Sequence, residues 1–280
     1  KANAMSSPRI YSQAYLTADA STVPESIALA GQLGYRYVGL RLMPNAPGAP
    51  HQRLLGDKAL MRETLSRMAD TGVGVFDLEI IRIAEGFDVS AYAPLFEAGA
   101  ALQARAVLVA ADDTHEPRLV EHYAKLCEAM QPYGMTADLE FMPWTAVKNA
   151  RDALRVVDAA GRPRNAGILV DALHFGRSDT TLDDIAALPH ALLHYAQICD
   201  APATNAQGST QLSVDDMIHT ARCERLLPGE GVIDLRGLFA SLPADLPVSV
   251  EVPNHLRARP VGDLAWSGQA LAASRAVLGA

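Results

Sequence analysis

AGILVDALHF, residues 166–175, is the stretch whose reading decides the fold. It opens with a small, strongly apolar run, Ala166 to Val170, and continues into a carboxylate, Asp171, and an imidazole, His174. An apolar run of this length bounded by polar residues suits a strand buried on both faces, as in a parallel sheet. Polar residues at the C-terminal ends of such strands are the ones that build sites in parallel barrels. On this reading the strand spans 166–175 and delivers Asp171 and His174 to a site. The plain alternative is a strand end with an Asp cap and a hydrogen-bonded His. What favours the first reading is that similar strand ends recur along the chain.

Working outward, strands are expected at 9–17, 35–42, 73–83, 106–111, 135–143, 192–201 and 246–254, besides 166–175. Helices are expected between them at 21–34, 57–72, 90–104, about 116–131, 145–160, about 181–187, 213–222, 232–241 and 261–278. The first helix carries Ser21, Thr22 and Pro24 at its start and Gly34 at its end, the usual start and stop signals. Strand starts recur at roughly 30 residues, the size of a βα unit. Eight units in a chain near ~250 residues predict an α/β fold, a single-domain (β/α)8 TIM barrel. An open doubly wound sheet usually shows a glycine-rich phosphate loop after its first strand. Here the first strand runs into Tyr15-Leu16-Thr17-Ala18-Asp19, with no glycine. Lys1–Ala4, ahead of Met5, read as an expression remnant, so residues 1–8 are expected to be a tail and 9–280 the barrel.

Composition narrows the function classes. The chain has 280 residues, 49% hydrophobic and 20% charged, as a globular protein does. No apolar run approaches the ~20 residues that span a bilayer, and the N-terminus has no signal-peptide core. Cys127, Cys199 and Cys223 are widely spaced and odd in number, which fits a reducing cytoplasm rather than a disulfide framework. A net charge of −8 without a basic block argues against nucleic acid as a partner.

Four strands carry an oxygen donor at a comparable place: Glu140 in LEFMP, Asp171 in LVDALH, Gln197 in YAQICDA and Glu251 in VSVEVPN. Four such donors on four successive strands converge at one barrel mouth. Buried carboxylates repel one another, so a cation explains why they share a site; the alternative is a set of separate salt bridges with Lys or Arg. An all-oxygen set suits Mn²⁺ or Mg²⁺ better than Zn²⁺.

The order LEFMP, DALHF, QICDA, PGEG, VEVPN resembles the xylose isomerase-like barrel superfamily, the sugar phosphate isomerase/epimerase family, over nearly the whole chain from about residue 9. The resemblance implies one divalent metal between Glu140, Asp171, Gln197 and Glu251. Most relatives have His at the third of these positions, and Gln still offers a carbonyl oxygen. It further implies an isomerase or epimerase of a small sugar or polyol ketone. A metal-polarised carbonyl would lose its α proton to one of Glu140 and Glu251, and the other would return it. His174 resembles the histidine that contacts a substrate oxygen. Arg225 resembles the arginine that stabilises oxyanion charge, with Arg222 as its rival. The same site in this superfamily also serves dehydratases of cyclic polyols and of dehydroshikimate. Gln197 keeps open a third reading, a non-catalytic sugar-binding barrel. An endonuclease relative would need a His-rich multi-zinc cluster and a basic face, and neither is present in the sequence.

Other residues have two readings each. Glu79 ends the third strand and either binds a substrate hydroxyl or pairs with Arg82. Asp200 either orients Gln197 from behind or starts a loop. Glu230 in PGEG is read as a turn residue. Trp144 walls the pocket or packs in the core. His51, His115, His122, His194, His219 and His255 show no ligand spacing and are read as surface or structural. Specificity is expected in the loops 43–56, 84–90 and 202–227. An exposed helix face is compatible with a homodimer, though no pattern forces one.

Overall fold

The computed structural model describes residues 8–279; the expected tail lies almost wholly outside the described residues. Eight parallel strands close into a barrel in sequential order. They are β1 Tyr11–Gln13, β2 Tyr37–Leu40, β3 Gly74–Ile83, β4 Ala106–Ala111, β5 Thr136–Glu140, β6 Ala166–Asp171, β7 Ala196–Ile198 and β8 Val248–Val250. The helices that surround them are α1 Val23–Leu33, α2 Lys58–Thr71, α3 Ala93–Ala101, α4 Glu116–Met130, α5 Ala150–Ala159, α6 Ala172–Arg177, α7 Leu182–Ala186, α8 Val214–Cys223, α9 Leu235–Ala240, α10 His255–Val261 and α11 Asp263–Leu278. The barrel expected from the repeat is therefore the fold. No helix among the described residues is long and apolar enough to cross a membrane.

Local chemistry sets the elements. Thr22 and Glu25 form a reciprocal capping box at the start of α1, and Gly34 ends it in the left-handed region at φ +93°, which glycine adopts without a Cβ penalty. Most of the core lies between barrel and helices, with β-strand residues such as Val107, Leu139, Ile168 and Val250 facing helical Ile27, Leu126 and Val156. A smaller cluster of Phe76, Ala106, Leu108, Leu169 and Tyr195 forms separately from it, as expected where strands present alternate faces. The Thr17 hydroxyl donates to the Val250 carbonyl at 2.7 Å and accepts from the Val252 amide at 2.9 Å, tying the chain after β1 to the last strand.

The expected strands 9–17 and 192–201 are shorter, with 3-10 turns at Tyr15–Thr17 and His190–Leu192, and two further elements differ in kind. The stretch 166–175 is not one strand: it is β6 through Asp171 and then helix α6. The Asp171 carboxylate accepts from the His174 amide at 3.1 Å, so the same residue ends the strand and caps the helix. Helix α10 was not expected, since 246–254 leads toward Pro260. Asn254 caps it by accepting from the Arg257 amide, and Pro260 falls near its end, where the lost hydrogen bond costs little.

Register brings the strand-end donors together. Asp171 lies opposite Gln197 in the β6–β7 pair, Gln197 opposite Ser249 in β7–β8, and Glu140 opposite Leu169 in β5–β6. Glu251 follows directly on β8.

Candidate active site

Glu140, Asp171, His174, Gln197, Arg225 and Glu251 are each at most 3% exposed. Potential ligand atoms of Glu140, Asp171 and His174 lie within 4.8 Å of one another. His174 Nε2 is 3.5 Å from Glu140 Oε1, and the ring packs edge-on to Trp144 with centroids 5.1 Å apart. His174 thus joins two of the expected metal ligands, although the resemblance gives it a substrate contact.

Arg225 links the other side of the cluster. Its Nη1 donates to Asp171 Oδ2 at 2.7 Å, its Nη2 lies 3.0 Å from Glu251 Oε2, and its Nε donates to the Ala221 carbonyl at 2.9 Å. Gln197 Nε2 donates to Glu251 Oε1 at 3.2 Å. Its carbonyl oxygen has no partner among the described residues, and neither does His174 Nδ1. A buried acceptor and a buried ring nitrogen left open beside three acids are what a cation would satisfy. The residues present therefore fit a divalent ion, with one imidazole and several oxygens as donors.

Electrostatics separate the acids. Burial pushes the Glu140 carboxyl well above the usual range, and the charges of Asp171 and Glu251 push it further. Burial does the same to Glu251, against the pull of Arg225 and with the help of Glu79 and Asp171. Asp171 is as deeply buried, yet Arg225 and His174 outweigh that burial and hold it below its ordinary value. Burial, with the help of Arg225, lowers His174 to about 4, so its ring is neutral at physiological pH, the form that binds metals. Environments that push like groups apart are how one site holds both a base and an acid.

Glu79, Glu140, His174, Arg225 and Glu251 line a cavity of 310 Å³ at the C-terminal ends of the strands, and Trp144 is part of its wall. A larger cavity, 490 Å³, lies at the opposite ends of the strands around Phe76, Arg105, His194 and Pro247 and contains none of the strand-end acids described above. The chemistry favours the smaller one.

The Xylose isomerase-like TIM barrel family model matches residues 27–276. The chain belongs to the xylose isomerase-like TIM barrel family. No curated protein matches its sequence. Among solved structures, the IOLI protein with a bound zinc atom superposes with a TM-score of 0.76 at 19% identity, over 96% of this chain and 98% of that one. The D-allulose 3-epimerase of Methylomonas sp. in complex with D-allulose gives 0.67 at 14%, over 97% and 98%. The probable 3-DHS dehydratase AsbF of Bacillus anthracis gives 0.71 at 14%, over 92% and 97%. At these identities the likeness is one of fold.

Several side chains sit otherwise than the sequence suggested. Glu79 pairs with Arg41, at 3.1 Å, while Arg82 pairs with Asp112 at 3.0 Å. Both side chains line the same cavity, but each finds its partner on a neighbouring segment rather than in the other. Asp200 does not reach Gln197; its carboxylate accepts from the amides of Ala201, Gly229 and Ile233 and so shapes the PGEG turn. Glu230 is a turn residue, as read, and pairs with Arg257. His255 lines the cavity and lies 3.4 Å from Asp19, rather than standing apart from the site. Arg41 was missed altogether, although it directly follows β2 and the strand-end logic applied to acids would have found it.

Proposed function

We propose that this protein is a divalent-metal-dependent isomerase or epimerase of a small sugar or polyol ketone. The observation that carries the reading is a pair of buried carboxyls, Glu140 and Glu251, lining one cavity beside His174, with the buried Asp171 joined to Glu251 through Arg225. Glu140, Asp171 and His174 would hold the ion, with Gln197 and Glu251 adjoining; the carboxylates suit Mn²⁺ or Mg²⁺, and the imidazole admits Zn²⁺ as well. The ion would supply a Lewis acid that polarises the substrate carbonyl. One of Glu140 and Glu251 takes the proton α to that carbonyl, and the other returns it at the opposite face or the neighbouring carbon. The Arg225 guanidinium, fixed by Asp171, Glu251 and the Ala221 carbonyl, keeps one positive charge beside the carbon that loses its proton. Trp144 and the buried floor exclude water from the exchange.

The experiment is solvent-deuterium incorporation into a panel of ketoses and inososes with Mn²⁺ present. Exchange at the carbon next to the carbonyl, lost in Glu140→Gln and in Glu251→Gln, supports the reading; an identical exchange rate in both variants contradicts it. Loss of water in place of exchange would mark the dehydratase form of the same chemistry.

One observation favours a second reading, the non-catalytic sugar-binding barrel. Arg225 already supplies one positive charge shared by Asp171 and Glu251, part of the task a metal would otherwise perform. Metal binding separates the two.

A further inference from the structure

The inner cavity is acidic, and its outer rim is mainly cationic, with Asp19, 3.4 Å from His255, as the acid among its exposed lining residues. Arg41, Arg82 and Arg222 all line the same 310 Å³ space. They come from three separate elements: the residue after β2, the strand β3 and the last turn of α8. Arg41 is held by Glu79 and stacks over the Tyr15 ring with its guanidinium carbon 4.7 Å from the centroid. Its Nε is buried with no hydrogen-bond partner among the described residues. Asp112 fixes Arg82 from behind. The guanidinium of Arg222 forms no ion pair among the described residues, and partial burial, then the like charges of Arg82 and Arg41, lower its pKa. Three guanidinium groups gathered in one cavity, one of them unpaired and another with an orphaned buried donor, leave hydrogen-bonding capacity that none of the described residues uses.

Taking the isomerase reading as its basis, we infer that the substrate carries an anionic group, a carboxylate or a phosphate, that docks on Arg222 together with Arg41 and Arg82 while its carbonyl end faces Glu140 and Glu251. Planar guanidinium forks match both anions bidentately. Arg41 and Arg82 are each already neutralised by one acid, so the free positive charge at the rim is that of Arg222. A cavity acidic within and mainly cationic at the rim sorts the two ends of such a molecule and holds it in one direction. Neutral sugars would lack the outer anchor.

Three ketoses of one carbon skeleton test this: D-fructose, D-fructose 6-phosphate and D-fructuronate, each titrated calorimetrically into the Mn²⁺-supplied full chain and followed separately for solvent-deuterium exchange. At least one anionic member should bind roughly tenfold or more tightly than D-fructose, since hydrogen bonds to charged groups reach that size. That ratio should fall to about one in Arg222→Gln and recover in part in Arg222→Lys. The stronger anion then identifies the group. Arg222 is solvent-exposed, so the variant should melt as the parent does; Arg82→Gln is the second variant should it not. Equal affinity for all three ketoses, no binding of either anion, or an anion preference that survives both variants overturns the inference. Anion binding without deuterium exchange would leave the subsite standing and count against the isomerase reading; exchange of D-fructose without anion preference would do the reverse.

Discussion

Replacing Arg225 by Met removes the one cation shared by Asp171 and Glu251 while keeping the volume of the buried stem. In the parent, the guanidinium lies 2.7 Å from one carboxylate and 3.0 Å from the other, with all three side chains at most 4% exposed. Breaking a buried ion pair from one side costs about 3–5 kcal/mol, because the remaining charge is left uncompensated. For 280 residues the unfolding entropy is about 0.6 kcal/mol per degree, so the melting temperature should fall by about 5–8 °C. The loss should depend on pH. Arg225 holds the Asp171 carboxyl below its ordinary value, so this contribution is present above the unfolded carboxylate value near ~3.9 and is lost as pH falls through the lower folded value. Melting curves of Arg225→Met and parent, in chelator, should therefore keep their separation from pH 7 down to about pH 4 and draw together only below it. Added Mn²⁺ should narrow the gap at pH 7 if it restores positive charge to the same acids. A shift below about 2 °C at pH 7, or one that does not change with pH, would refute this account of the cluster.

Further expectations concern the scaffold. His194 Nδ1 lies 2.6 Å from the buried Asp138 carboxylate, which overcomes the effect of burial and raises the imidazole pKa. Its stabilisation is complete below the unfolded histidine value near ~6.5 and fades as pH rises through the folded one, so His194→Gln should cost more in urea unfolding at pH 6 than at pH 9. Asp200→Ala strips the acceptor from the Gly229 and Ile233 amides and should cost roughly 2 kcal/mol, with faster amide exchange over 227–233; an unchanged exchange pattern there would show that the turn does not depend on it. Trp266→Ala deletes a side chain 1% exposed whose indole donates to the Val252 carbonyl at 2.8 Å, and should cost about 3–5 kcal/mol in the same unfolding assay.

How far the chain could be read from its residues follows from which interactions are local. β4 matches its expected bounds because AVLVAA is a short apolar run closed by polar residues on both sides. The first helix shows its caps in sequence, and its ends fall within two residues of expectation. The end of 166–175 was not legible. ALHF continues an apolar run, and such a run does not distinguish strand from helix; only the bond from the His174 amide to Asp171 shows where the backbone turns. That turn also moves His174 from a strand edge into helix α6, beside Glu140. Glu140 and Asp171 were visible because each closes an apolar strand, Glu251 because it directly follows one, and Gln197 because it interrupts one. The pairing of Arg225 with Asp171 and Glu251 was not, since it spans separations that no spacing rule encodes.

The central claim is that these buried acids hold a divalent ion, and direct titration of Mn²⁺ into chelator-treated protein tests it. The parent should bind one ion per chain, and Glu140→Gln, Asp171→Asn should bind none. A parent that takes up no ion at millimolar Mn²⁺, Mg²⁺ or Zn²⁺ would contradict the claim, and Arg225 would then stand as the permanent counter-charge of a sugar-binding barrel.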